Sequence, residues 1–160
     1  MYRLIPLALL LWSCCSQAAT IILIRHAERA GAMGGDPPLS DRGKQRAEAL
    51  VPLLKDKNLR AIFITDTLRT RQTVAPLANR IALEPVELPG RNVAGLIARL
   101  KKFGEGDTVL VVGHSNTLPE IVEGLGGSTA RIGETEFDRM ITVVTHENEK
   151  PTVTTTRYGN

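Results

Sequence analysis

Five short apolar runs separated by amphipathic stretches constrain this chain more than any other feature of its sequence. The runs TIILIR (20–25), RAIFIT (60–65), EPVEL (84–88), DTVLVVG (107–113) and RMITVVT (139–145) have strand length and are rich in Ile and Val. Between them, residues 40–58, 67–81, 93–103 and 118–125 carry helical patterning. Strand followed by helix, four times over, predicts a layered α/β fold in which helices flank a mostly parallel central sheet as a three-layer sandwich. The tail, with two β-rich arms around the polar turn HENEKP, predicts a C-terminal β-hairpin at one sheet edge. Open parallel sheets place ligands at the carboxyl ends of their strands, so those ends are where a site is expected.

Two local features qualify the helices. Pro52 and Pro76 fall inside helical patterns, where each removes a backbone hydrogen bond and should kink or break its helix. The stretch TLPE supplies a capping box, Thr117 with Glu120 three residues on, and Pro119 sits in a first turn where its missing N–H costs little.

A chain of 160 residues with 42% hydrophobic and 23% charged residues is sized for one globular domain. Its first 18 residues have one positive charge at Arg3, an apolar run from Leu4 to Trp12, and Ser16 and Ala18 as small residues at the minus three and minus one places of a cleavage site. They predict a signal peptide followed by a single domain over 19–160, exported to the periplasm or secreted. The run is shorter than the roughly 18 residues of a membrane span. Both cysteines, Cys14 and Cys15, lie in this segment, so the mature domain has no disulfide, thiol nucleophile or cysteine metal site. LWSC, ending at Cys14, also allows a lipid anchor there. Without Arg3 the chain holds 19 Lys and Arg against 17 acids, and it shows no basic block, which excludes a nucleic-acid partner.

The strand ends carry an unusual set. Arg25 and His26 end the first run, Arg69 lies in the first turn of the helix after the second, and His114 ends the fourth. Two arginines and two histidines converging on one sheet edge, with no acidic or cysteine cluster, suit a phosphoryl group rather than a metal. A guanidinium binds phosphoryl oxygens through a rigid fork and stays charged. A neutral imidazole is a nitrogen nucleophile and a proton carrier. A helix opening just after His114 would aim its N–H groups at the same anion. Taken singly, each residue has a plainer reading as a solvated strand end, a charged helix face or a capping histidine; their joint occurrence carries the argument.

The motifs IRHAE, LSDRG, TDTLRTRQT and VVGHSNT, in this order and spacing, resemble the histidine phosphatase superfamily of phosphoglycerate-mutase-like proteins, in the branch with a glycine-histidine pair late in the sheet. The resemblance runs to about residue 127. It implies that His26 is the nucleophile, attacking phosphorus in line to give a phosphohistidine that water then hydrolyses. Arg25, Arg69 and His114 would bind the phosphoryl oxygens, with no metal or other cofactor required. The substrate would be a phosphorylated small molecule or a phosphoprotein. A glutamate just beyond the third strand donates the leaving-group proton in many members, but here that region reads EPVELPGRNVAG, with Gly90 or Asn92 near the expected place and Glu87 as the nearest carboxylate. Glu87 is therefore the candidate general acid. Without an acid, good leaving groups such as those of phosphohistidine and acyl phosphates would be favoured. No long insertion is present to build a lid, which argues for a large or permissive substrate.

Two other functions can be read from the same residues. VVGHSNT approximates the nucleophile elbow of a serine hydrolase, with Ser115 as nucleophile and Asp138 and His146 following; Thr117, however, stands where the elbow wants glycine. The other is a non-catalytic phosphate-binding module, which would keep the pocket without turnover.

Overall fold

The computed structural model describes residues 18–31 and 35–159. The leader expected over 1–18 lies outside them except for Ala18, and Cys14 lies outside with it. The chain runs β1 (Thr20–Arg25), α1 (Asp41–Leu54), β2 (Leu59–Thr65), α2 (Leu68–Ile81), β3 (Val86–Leu88), α3 (Val93–Leu100), β4 (Thr108–Gly113), α4 (Thr117–Gly124), β5 (Arg139–His146) and β6 (Glu149–Arg157). The six strands form one sheet in the order β3-β2-β4-β1-β5-β6. The first four of these are mutually parallel, while β5 joins β1 antiparallel and β6 closes the edge as a hairpin. Asn148 makes its turn with φ of 62°, a left-handed conformation that asparagine tolerates.

Both faces of the parallel strands are covered, which is why their sequences are nearly continuous apolar runs. Ile21, Leu23, Phe63, Val109 and Val111 face α3 and α4 and meet Leu96, Leu100, Leu118 and Ile121. Their alternates Ile22, Ile24, Ile62, Ile64, Leu110 and Val112 face α1 and α2 and meet Leu50, Leu54, Val74 and Leu77. This is the expected three-layer α/β sandwich, with the hairpin at its edge. No helix among the described residues is long and apolar enough to cross a membrane.

The structure corrects two local expectations. Pro52 and Pro76 lie inside α1 and α2, and neither helix stops at its proline. Pro52 and Glu48, four residues before it, are exposed, and Pro76 and Gln72 are partly so, which leaves water within reach of the bonds the prolines remove. The TLPE capping box does not form. Asn116 is the N-cap of α4, and the Thr117 hydroxyl instead receives the His114 N–H at 3.2 Å. Pro119 does fall within the first turn.

Register is what positions the site. Along β1 and β4 the pairing runs in step from Thr20↔Thr108 to Arg25↔Gly113, and along β2 and β4, past a register shift between Leu59 and Ala61, it runs in step from Ala61↔Val109 to Ile64↔Val112. The residues that leave these three strands therefore emerge side by side at one edge.

Candidate active site

Because Arg25 and Gly113 end their strands at the same level, the next residues, His26 and His114, are neighbours. The His26 N–H donates to the Gly113 carbonyl at 2.9 Å, and the two imidazoles meet edge to face with centroids 5.3 Å apart. They line an open cavity of about 410 Å³ together with Arg25, Arg29, Arg69 and Glu134, with Gly90 and residues 115–117 completing the wall. The structure thus brings Arg25, His26, Arg69 and His114 to one place. The first turn of α4 also opens on this cavity.

His26 is 4% exposed, and its Nδ1 lies 2.8 Å from the Ala27 carbonyl. A carbonyl can only accept, so Nδ1 carries the hydrogen in the neutral ring and Nε2 keeps its lone pair for the cavity. The Ala27 peptide is itself held, its N–H donating at 2.9 Å to Thr73 Oγ1, which in turn donates to the Arg69 carbonyl. One threonine of α2 thereby ties the histidine's partner to the turn that presents Arg69. Burial pushes the His26 imidazole down to about 3 against the upward pull of the Ala27 bond, and His114, Arg25 and Arg69 push the same way as burial. It is neutral, and hence nucleophilic, through the physiological range.

His114 places Nε2 2.9 Å from Thr65 Oγ1, in a cluster of hydroxyls that includes Thr67 and the fully buried Thr70. Burial, then Arg69 and Arg25, lower it to about 4. The cations that depress both histidines would be offset by a bound anion, which is how a charge vacancy signals its ligand.

Arg25 is nearly buried. Its Nη1 donates to the carbonyls of Gly133 (2.9 Å), Glu134 (2.8 Å) and Glu136 (3.2 Å), its guanidinium stacks 4.1 Å from the Phe137 ring centroid, and its buried Nε has no partner. Burial lowers its proton affinity, outweighing the Glu134 carboxylate, and Arg29 and Arg69 add to the lowering. Arg69 shares Asp36 with the start of its own helix: Nη1 lies 3.2 Å from Oδ1, while the Leu68 N–H donates to Oδ2 at 2.7 Å.

The loop after His26 is braced from below. Gly43, in the LSDRG motif, lies so close under it that a Cβ would strike the Glu28 carbonyl oxygen, and Ser40 caps α1 while donating to that same carbonyl. Glu28 does not line the cavity; its carboxylate is taken bidentately by Arg46 at 2.9 and 2.7 Å and reached by Arg42 at 3.1 Å.

Glu87 is not brought to this cavity. On β3 it pairs with Ile64, on the α2 face of the sheet, where Arg71 grips it bidentately at 2.6 Å and holds it below the usual carboxylate range. It lines a larger cavity of about 580 Å³ against α2, whose one cation is that same Arg71. Asn92 is occupied as the N-cap of α3, and Gly90 reaches the cavity without a carboxylate. The residues that sequence reasoning missed are Arg29 and Glu134. Arg29 sits three residues past His26, a cue that was available; Glu134 arrives on a loop without periodicity.

The serine hydrolase set is not assembled. Ser115 Oγ donates to Glu134 at 3.3 Å, Asp138 is bound by Arg157, and His146 contacts Thr152 in the hairpin. His146 lies beyond Val144, the partner of Thr20, at the opposite end of β1 from Ser115. Among the described residues no group of three or more His, Cys, Asp or Glu side chains could hold a metal ion.

Residues 21–92 match the histidine phosphatase superfamily (branch 1). A PE-PGRS family protein of Mycobacterium tuberculosis is 34% identical over 108 residues, a match covering 61% of this chain and 18% of that protein. The chain thus spans about a fifth of that relative's length. Among solved structures, the protein histidine phosphatase SixA complexed with tungstate aligns with TM-score 0.66 at 18% identity, over 86% of this chain and 96% of its own. The alpha-ribazole phosphatase of Shigella flexneri aligns at 0.65 and 16%, over 88% and 96%, and a mycobacterial glucosyl-3-phosphoglycerate phosphatase at 0.66 and 16%, over 89% and 99%. At these identities the structural likeness is one of fold.

Proposed function

We propose that this chain, which belongs to the histidine phosphatase superfamily, is a phosphatase that hydrolyses a phosphomonoester, a phosphohistidine or an acyl phosphate through a covalent intermediate on His26. The observation that carries the reading is the fixed tautomer: with Nδ1 bound to the Ala27 carbonyl, Nε2 presents a lone pair to a cavity ringed by Arg25, Arg29 and Arg69. Nε2 attacks phosphorus in line. The guanidiniums and His114 bind the equatorial oxygens and stabilise the charge that gathers there in the transition state. Water then attacks the phosphohistidine, and the P–N bond breaks to release phosphate.

The fixed cations supply the positive charge that a metal would otherwise provide, so a chelator should leave the rate unchanged. The substrate is a phosphorylated small molecule or a phosphoprotein, as the names of SixA and of the alpha-ribazole phosphatase suggest for the two classes. The open cavity admits either. Export to the periplasm or the medium belongs to the same proposal and rests on the apolar run from Leu4 to Trp12.

The test is trapping with a labelled phosphoryl donor, quenched in alkali, beside His26→Ala. Label that survives alkali, is lost in acid and is absent from the variant supports the mechanism. Binding of phosphate with neither label nor turnover would leave the non-catalytic binding module as the better account.

A further inference from the structure

We propose that Glu134 is the proton donor to the leaving group, and that the leaving group lies in the cavity beyond it; this rests on the phosphatase reading above. Glu134 is the one carboxylate among the described residues that line the cavity with His26. A second cavity, about 500 Å³, adjoins the first and shares Ser115, Asn116 and Glu134 with it. Glu134 therefore stands on the wall between the space His26 faces and a space His26 does not reach. In-line transfer sends the leaving oxygen away from the nucleophile, toward a space of that kind.

The placement of Glu134 suits a group that must be anchored and still move. Arg25 Nη1 holds its backbone carbonyl at 2.8 Å, while its side chain is 85% exposed. The carboxylate reaches Arg25 Nη2 at 3.5 Å and accepts from Ser115 Oγ at 3.3 Å. A dianionic phosphoryl group arriving at Arg25 would compete for the guanidinium and free this carboxyl to turn toward the leaving oxygen.

The step balances. The Nε2 lone pair forms the N–P bond as the P–O bond breaks, and the released electron pair on oxygen takes the Glu134 proton to leave as an alcohol. In the second half, the Glu134 carboxylate takes a proton from water as the water oxygen bonds to phosphorus. The P–N pair returns to Nε2, phosphate departs, and Glu134 is protonated again.

The test compares Glu134→Gln with the unaltered protein on two esters, glycerol phosphate with its poor alkoxide leaving group and 4-nitrophenyl phosphate with a good one. We expect kcat/KM to fall about a hundredfold or more on the first and less than tenfold on the second, with Glu134→Asp recovering part of the loss. An equal change on both esters, or a lower KM with unchanged kcat, would overturn the assignment and make Glu134 a carboxylate that merely competes for Arg25. If the unaltered protein releases phosphate from neither ester, the phosphomonoester reading fails and Glu134 has no leaving alkoxide to protonate, so the assignment falls with it; if it releases phosphate and only the leaving-group dependence is missing, Glu134 alone is wrong.

Discussion

Two buried arginines flank the loop after β1, and they are used in opposite ways. Arg46 is 3% exposed and Arg25 is 6% exposed. Arg46 meets the Glu28 carboxylate bidentately and also donates to the Tyr158 carbonyl at 2.7 Å, and its bond to Glu28 raises its proton affinity above the ordinary value. Arg25 meets mainly carbonyls, keeps a buried Nε without a partner, stands near Arg29 and Arg69, and is pushed the other way by burial. A buried cation whose charge is cancelled on the spot is part of the scaffold. One whose charge is left standing is held ready for an anion.

The sharpest way to break this contrast is Arg46→Met. It leaves the half-buried Glu28 carboxylate with only the exposed Arg42 as partner and should cost about 3 kcal/mol, lowering the melting temperature by roughly 10 °C while kcat of the folded protein changes by less than tenfold. Loss of activity at unchanged stability would instead place the Glu28 clasp in the site.

Arg25→Lys comes next and should do the reverse. It keeps a charge but loses the fork, so we expect kcat/KM to fall about a hundredfold or more, with a smaller change in melting temperature. An equal loss of both would mean that the guanidinium serves chiefly to hold the 133–136 loop.

The third prediction concerns acid. The His26 imidazole ionises at about 3 in the fold and near 6.5 when unfolded, so the unfolded chain binds the extra proton first. Stability from this group is complete above pH 6.5 and is lost as pH falls toward 3. Between pH 6.5 and 4 this share should decline by on the order of 3 kcal/mol, and His26→Gln should remove it while leaving the loss due to His114 over the same window. A profile unchanged by the substitution would show that the imidazole is better solvated than its burial implies.

Glu87→Gln marks the small end. The Arg71 pair is exposed, so the change should leave both the melting temperature and the activity close to those of the unaltered protein. A large kinetic effect would return Glu87 to the site.

How far the sequence could be read follows from the same physics. The strands were legible because both sheet faces are covered, which forces apolar runs at TIILIR and TVLVVG. In-step parallel register then carried Arg25, His26 and His114 together from strand ends alone. Glu87 was misleading because nearness to β3 says nothing about which face it takes; its place opposite Ile64 turns it toward Arg71. Glu134 was invisible because Arg25, more than a hundred residues earlier, holds its loop, and no local pattern records such a contact. That neither Pro52 nor Pro76 breaks its helix has a related reason, since a helix can continue past a proline where water reaches the freed backbone, and exposure is a tertiary property.

Arg25 Nη1 holds the 133–136 loop by three peptide oxygens, at shorter range than its Nη2 reaches the Glu134 carboxylate. Every residue type carries the same carbonyl, so the grip is indifferent to what is written at positions 134 and 135. That segment can be respelled without being released, and the fold thereby separates the anchoring of its rim from the choice of what the rim accepts.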